Sequence, residues 1–483
     1  MAGNKDKYIN LGVKFFVMRK FCLFFLLFFG LTDAWSAVRL PAVLTSNMVL
    51  QQQSQVKLWG WSEPGEWVRI TTSWDHRTDS VKGSRDGKWQ ILVATPAAGG
   101  PYSIEINGSN RIVLDNVLIG EVWVCSGQSN MEMNYNWGHL PDVQQELTTC
   151  NNTNIRFFRV PKTTAAYPQD DCHAQWTVCD SNTLKDFSAA GYFFGKKLNA
   201  ELNVPIGLIE AAWGGTPAEV WTPAELVNAD TALTNAVSKQ KPSDWWPYTP
   251  GYCYNAMLAP LTSFSVAGAL WYQGEGNTAA PFTYEKLLTK MIGSWRKAWN
   301  KPLSFYYVQI APYRYGVKDQ GSVLREQQAK VQRLEGTGMV VISDVTGDTT
   351  DIHPKDKHDV GFRLAAWALA DTYHKKGFVY KNPTYQNMQL SGDKIVLSFS
   401  DAGDGLEVKG KDVKELWVAG EDKVFYPAQA KIEGGRLTVS AKSVKKPVAV
   451  RYQYSNAGVG NLFSKQGLPV APFRTDDWAV TVL

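Results

Sequence analysis

The chain has 483 residues, of which 44% are hydrophobic and 20% charged, with a formal net charge of +5. That length accommodates two or three domains with full cores. The small charge and the lack of a basic patch interleaved with aromatic rings exclude nucleic acid as a partner.

Residues 1–36 read as a secretory signal. Lys14, Arg19 and Lys20 precede the apolar run from Phe21 to Leu31, and Ala34-Trp35-Ser36 supplies the small residues of a cleavage site before Ala37. The run is too short to span a bilayer, and no second apolar stretch is long enough for stable membrane insertion. The expected location is therefore periplasmic or secreted. Removing this segment takes away five basic and two acidic side chains and lowers the charge to +2.

From 37 to 116 the sequence alternates over short segments such as Val56 to Trp61 and Val68 to Thr72, separated by Glu63-Pro64-Gly65, Asp86-Gly87 and Gly99-Gly100-Pro101. This pattern predicts an N-terminal β domain. From 117 to 377 the character changes. Apolar strands are expected at Val117–Cys125, Val204–Ala212, Ala267–Tyr272, Ser304–Ile310 and Met339–Ser343. Between them, Phe187–Leu202, Tyr284–Trp299 and Val323–Leu334 carry helical apolar spacing. Alternating strands and helices predict an α/β domain with a mostly parallel sheet covered on both faces. Residues 378–483 return to β patterning, as in Lys394–Phe399, Leu416–Gly420 and Val448–Tyr452. Nineteen Trp, twenty Tyr and twenty-one Phe make a heavy aromatic load, mostly core, although exposed rings also stack on sugar faces.

Five cysteines remain after residue 36, an odd number that leaves at least one free thiol. Cys125 sits in an apolar strand and Cys253 lies further on. An oxidising compartment leads to the expectation of one disulfide among Cys150, Cys172 and Cys179, in a segment that reads as polar and loop-rich. No Cys/His group has zinc-site spacing, and His353 and His358 are five residues apart, which does not stack them on one helix face. No metal or cofactor is expected.

In a parallel sheet the site lies beyond the carboxyl ends of the strands. The polar clusters fall there: Gly127-Gln128-Ser129-Asn130, Trp213-Gly214-Gly215-Thr216, Gln273-Gly274-Glu275-Gly276-Asn277 and Thr350-Asp351-Ile352-His353-Pro354. Gly-x-Ser alone is also a common strand-ending turn, and the Gly-x-Ser-x-Gly elbow is absent because Met131 replaces its second Gly. Together the clusters carry the parts of acyl transfer. Ser129 is the candidate nucleophile, His353 its base, and Asp351 a candidate to orient the imidazole. Gly214-Gly215 and the Asn277 side chain offer donors for an oxyanion.

In their order and intervals these blocks resemble the signature blocks of the SGNH hydrolases, and within them the sialate O-acetylesterase-like carbohydrate esterases. Asn47-Met48-Val49-Leu50-Gln51, Gly467-Leu468-Pro469 and Pro472-Phe473-Arg474-Thr475-Asp476-Asp477-Trp478 are similar to flanking segments of that family. The resemblance implies a flavodoxin-like three-layer sheet between two β domains. It implies catalysis by Ser129, His353 and Asp351, with an oxyanion hole from the Ser129 and Gly215 N–H groups and Asn277. The acid precedes the histidine by two residues where many SGNH enzymes have three, so a Ser–His dyad is the other form of the unit. Gly276 stands where relatives more often have Ser.

The reaction implied is removal of acetyl groups from sugar hydroxyls. The sugar is expected against Gln128, Trp213, Trp221, Tyr272 and Glu275. Acetylated sialic acid and acetylated xylan or xyloglucan oligosaccharides are alternative substrates. A glycosidase using Glu132, Glu219 or Glu275 leaves the Ser, Gly-Gly, Asn and His set unexplained. A non-catalytic carbohydrate-binding protein needs none of the four blocks, and a lipase lacks its elbow and lid.

Overall fold

A computed structural model describes residues 37–482. Residues 1–36, with the expected signal, lie outside the described residues.

The described strands begin in an N-terminal β region. It contains β1 (Val49–Gln51), β2 (Gln55–Trp61), β3 (Trp67–Thr72), β4 (Thr78–Lys82), β5 (Lys88–Ala94) and β6 (Gly99–Asn107). The next strand, β7 (Arg111–Gly127), runs through the expected boundary at 116/117 without a break. Its first half pairs antiparallel with β6, from Asn107↔Arg111 to Gly99↔Ile119, and parallel with β1. Its second half lies at the centre of the α/β body.

There it is joined by β8 (Asn152–Arg159), β9 (Trp176–Cys179), β10 (Ile206–Ala212), β11 (Gly268–Tyr272), β12 (Ser304–Val308) and β13 (Thr337–Val340). The order is β13-β12-β11-β7-β10-β8-β9, all parallel except the edge strand β9. After β10 the chain crosses from one side of β7 to the other to form β11. β7 therefore sits at the reversal of strand order, where a crevice opens at the carboxyl edge.

Side-chain alternation divides the body between two cores. Val122 and Val124 of β7 pack with Leu287, Leu288 and Ile292 of the helix Tyr284–Ala298 and with N-terminal residues such as Leu58 and Ile70. Trp123 and Cys125 face the opposite core, with Phe193 and Phe194 of the helix Ala189–Leu202 and Val360 and Leu364 of the helix Lys357–Trp367. A period of two puts successive residues on opposite faces of a sheet.

β8 and β9 lie in the segment expected to be loop-rich. Ile155, Arg156, Phe157 and Phe158 are buried in succession, so the strand shows no alternation. Arg156 is tolerated there because its guanidinium donates to the Thr153 and Asn47 carbonyls and the Asn116 side-chain oxygen.

The disulfide expectation is corrected: all five described cysteines are buried free thiols. Cys172 packs in one core and Cys150 and Cys179 in the other, where the Cys179 thiol faces the Cys150 carbonyl at 3.2 Å. Burial raises the thiol pKa of each, that of Cys172 to about 12, so none is a ready nucleophile.

The C-terminal residues form two four-stranded antiparallel sheets and a two-stranded one around a core of their own. One sheet contains Thr384–Ser391, Lys394–Ser400, Arg436–Ser440 and Gln429–Glu433. The other contains Phe425–Pro427, Leu416–Ala419, Ala449–Tyr452 and Phe473–Arg474.

Candidate active site

β7 ends at Gly127, whose φ of +141° and whose missing Cβ let it press against the Tyr272 backbone of β11; a Cβ there would lie 2.2 Å from the Tyr272 carbonyl oxygen. Only glycine closes the strands this tightly. The chain then turns into a short helix, Ser129–Glu132, which puts the Ser129 N–H in its first turn without an intrahelical acceptor. Ser129 is half-buried at this turn.

The loop before the helix Lys357–Trp367 brings in the candidate base. His353 Nε2 lies 2.9 Å from Ser129 Oγ, although the two are far apart in the chain. Burial, reinforced by the Lys357 ammonium, lowers the His353 pKa, with Asp351 opposing. The imidazole is thus neutral near pH 7 and able to take the serine proton. One ring neighbour is Trp137, edge-on at 5.6 Å between centroids.

Asp351 Oδ1 accepts the backbone N–H of His353 at 2.9 Å and lies 3.6 Å from Nδ1. The second distance exceeds a hydrogen bond but lets the carboxylate attract an imidazolium. Lys355 lies 3.6 Å from its other oxygen.

β10 delivers the glycine pair. The Gly214 N–H is held by Glu132 Oε2 at 2.5 Å, and a Cβ on Gly214 would stand 3.3 Å from that of Ser129. Gly215 has φ +82°, and a Cβ there would run into the Trp246 ring. Among the described residues, neither the Ser129 nor the Gly215 N–H has a protein acceptor.

Asn277 is buried. Its Oδ1 accepts from Gln273 Nε2 at 2.7 Å and from the Ala218 N–H at 2.9 Å, and its Nδ2 donates to Glu219 Oε2 at 2.8 Å. A primary amide has two N–H donors, so one remains. Glu219 is wholly buried, and burial raises its pKa.

The three rim carboxylates all hold loops: Glu132 takes Gly214, Glu219 takes Asn277, and Glu275 Oε1 takes Asn130 Nδ2 at 2.7 Å. Asn130 in turn donates to the Ile352 carbonyl, next to His353, and accepts from Lys357 Nζ at 2.7 Å. Its one side chain thus ties the serine turn, the β11 loop and the histidine loop together. Burial lowers the pKa of Lys357 to about 7 and raises that of Glu275.

Among the residues expected to contact sugar, Gln128 is buried and its Oε1 accepts the Gly276 N–H at 3.0 Å. Trp213 is half-buried and donates through Nε1 to the Trp245 carbonyl. Trp221 and Tyr272 are corrected: both are fully buried, Trp221 bonding Thr216 and Tyr272 lying under Lys357 Nζ, so neither ring has a face for a sugar. Rings beside the site are Trp137, 44% exposed and edge-on to His353, and Trp246, against Gly215; the neighbouring Trp245 gives its backbone carbonyl to Trp213 and is 82% exposed. A sequence signal existed for them. Trp245-Trp246 is an aromatic pair in a polar, proline-bounded loop, and Trp137 follows the serine turn by one short helix.

The chain is similar to known carbohydrate esterases. Residues 119–370 match the family described as carbohydrate esterase, sialic acid-specific acetylesterase. Sialate O-acetylesterase of Pongo abelii is 28% identical over 406 residues, covering 75% of this chain and 76% of that protein. The human sialate O-acetylesterase is 27% identical over the same share of each. A crystal structure of a carbohydrate acetylesterase from Xanthomonas citri superposes with a TM-score of 0.83 at 35% identity, over 92% of this chain and 100% of that one. The protein is a carboxylic-ester hydrolase of α/β architecture. More narrowly, it belongs to the sialic acid-specific acetylesterase family of carbohydrate esterases.

Proposed function

We propose that the protein removes O-acetyl groups from sugar hydroxyls through an acyl-enzyme on Ser129. The observation that carries this reading is the 2.9 Å separation of Ser129 Oγ and His353 Nε2 at the carboxyl end of β7. Ser129 Oγ attacks the acetyl carbonyl as its proton passes to His353. The oxyanion is met by the N–H groups of Ser129 and Gly215 and by the free N–H of Asn277. Collapse expels the sugar oxygen, which takes the proton from His353. Water then attacks the acyl-enzyme, again losing a proton to His353; collapse breaks the bond to Ser129 Oγ, which takes that proton back, and the acid leaves as acetate. Asp351 steadies the imidazolium from a distance, so a Ser–His dyad does most of the work.

The helices on both sheet faces support reading the body as a flavodoxin-like SGNH three-layer sheet. Residues 1–36 support export to the periplasm or beyond, and among the described residues no helix is long and apolar enough to cross a membrane. Acetylated sialic acid is the substrate suggested by the mammalian relatives. Acetylated neutral oligosaccharide is the second reading, favoured by the part-exposed Trp137 ring beside His353.

The test is hydrolysis of an aryl acetate by the mature chain. Ser129→Ala or His353→Ala should lower kcat by about 10³-fold or more, and Asp351→Ala by less. Full activity in Ser129→Ala overturns the mechanism. The histidine must be neutral to act, and its pKa is lowered. The wild-type rate should therefore hold as pH drops to about 6.5 and fall only below it. Acetate release from acetylated sialosides and xylan oligosaccharides separates the two substrates.

A further inference from the structure

A second aromatic feature lies away from the serine. On β2, Val56 and Leu58 point into the core while Lys57, Trp59 and Trp61 are partly exposed. Residues two apart on a strand share a face at a spacing of about 7 Å. Opposite them on β5, Trp59 pairs with Gln90 and Trp61 with Lys88. The β2–β5 ribbon, a sheet of its own, thus presents two indoles beside two hydrogen-bonding side chains. The Arg39 guanidinium lies 5.6 Å over the Trp61 ring and steadies its orientation.

These residues line an open cavity of about 680 Å³, within the range of small-ligand sites. Its other wall is lent by the α/β body, through the segment Pro168–Asp170 and through Tyr254. A Lys88–Asp170 ion pair at 3.0 Å spans the two walls. The lining charges balance, Lys82 and Lys88 against Asp86 and Asp170, so the cavity favours a neutral ligand over an anion. None of its lining residues belongs to the ester-cleaving site.

We propose that this groove is a second carbohydrate-binding site, for a neutral glycan chain. Sugar rings stack on Trp59 and Trp61, and Gln90, Lys88 and Asp170 bond their hydroxyls. The inference rests on the protein acting on carbohydrate, and its role is to hold the enzyme on an acetylated polymer while the serine site samples successive esters.

The test uses the full mature chain in affinity electrophoresis, with deacetylated xylan and xyloglucan as neutral probes and polygalacturonate and polysialic acid as anionic ones. Wild type should be retarded by a neutral polymer. The double variant Trp59→Ala/Trp61→Ala should bind it about tenfold more weakly or worse. Its kcat/KM on a soluble aryl acetate should not change, which also certifies its fold. Gln90→Ala and Asp170→Ala, both at exposed positions, should weaken retardation without risk to folding. Wild-type retardation in all three variants, retardation by anionic polymers only, or none in wild type overturns the proposal. Retardation does not depend on hydrolysis, so loss of the Ser129 mechanism would leave this result readable.

Discussion

The two β regions flank the α/β body in similar positions along the chain and join it in opposite ways. The N-terminal region shares a strand, β7, and a hydrophobic core with the body. The C-terminal domain has a core of its own and meets the body through a few apolar contacts, Ala471 in the shared core and Tyr380 edge-on to Trp367 at 4.8 Å, and otherwise through polar groups. Glu326 of the helix Gln320–Val331 accepts from Arg474 at 2.9 Å and from the Tyr454 hydroxyl at 2.7 Å. The buried Arg325 donates to the carbonyls of Gln453, Ser455 and Asn456. Shared apolar burial makes two regions melt as one, whereas a polar contact positions its partner and is broken more cheaply.

The docked domain still reaches the candidate active site. Asn456 donates to the Val317 and Tyr315 carbonyls, accepts from the Gly321 N–H, and takes the Tyr313 N–H on its own carbonyl. In that loop the Arg314 N–H donates to the Thr349 carbonyl, two residues before Asp351 and four before His353. A single C-terminal side chain therefore holds the loop that supports the histidine segment.

The sharpest test of the contrast is Ile119→Ala in β7, which empties a fully buried site. It should cost about 2–5 kcal/mol. In calorimetry it should lower one transition that carries the N-terminal region and the body together, leaving a C-terminal transition in place; separate melting of the N-terminal region would break the comparison. Glu326→Ala should cost about 1–3 kcal/mol. It should appear as an earlier C-terminal transition, and an equal shift of both transitions would show that the domain is not independently cored. The smallest effect is expected for Asn456→Ala: a fall in kcat of about three- to tenfold, about 1 kcal/mol of barrier, with KM nearly unchanged. If the loop relaxes towards water, the acid limb of the rate profile should also move up towards 6.5, a change that mere loss of stability would not produce.

Much of this was legible in the chain. Four strand-end clusters pointed to one rim, because a buried parallel strand shows as an apolar run and its end as an abrupt polar turn. Flanking blocks were visible without their reasons. Gln51 caps the side of β7, donating to Glu121 at 2.8 Å and accepting the Val122 N–H at 3.1 Å, while Asp476 pairs with Arg451 at 2.7 Å. What was not legible depends on distant partners. Trp221 and Tyr272 stand near the glycine and Gln-Gly-Glu blocks in sequence but turn inward, and sequence position does not tell a buried ring from an exposed one. The bond between Asn130 and Lys357 joins residues that only the fold makes neighbours. β8 hid because a strand buried on both faces has no alternation to read.

The unbroken β7 also bears on the order in which the protein takes shape as it is synthesised. β6 and β7 are joined by a turn of a few residues, so the first half of β7 can find its partner as soon as it emerges. The partners of its second half, β10 and β11, arrive only after long intervening segments. Local pairings form faster than distant ones because less chain entropy is lost in closing them. The N-terminal region should thus serve as a template on which the strand leading to the serine is laid down, with the segment that supplies the histidine joining later.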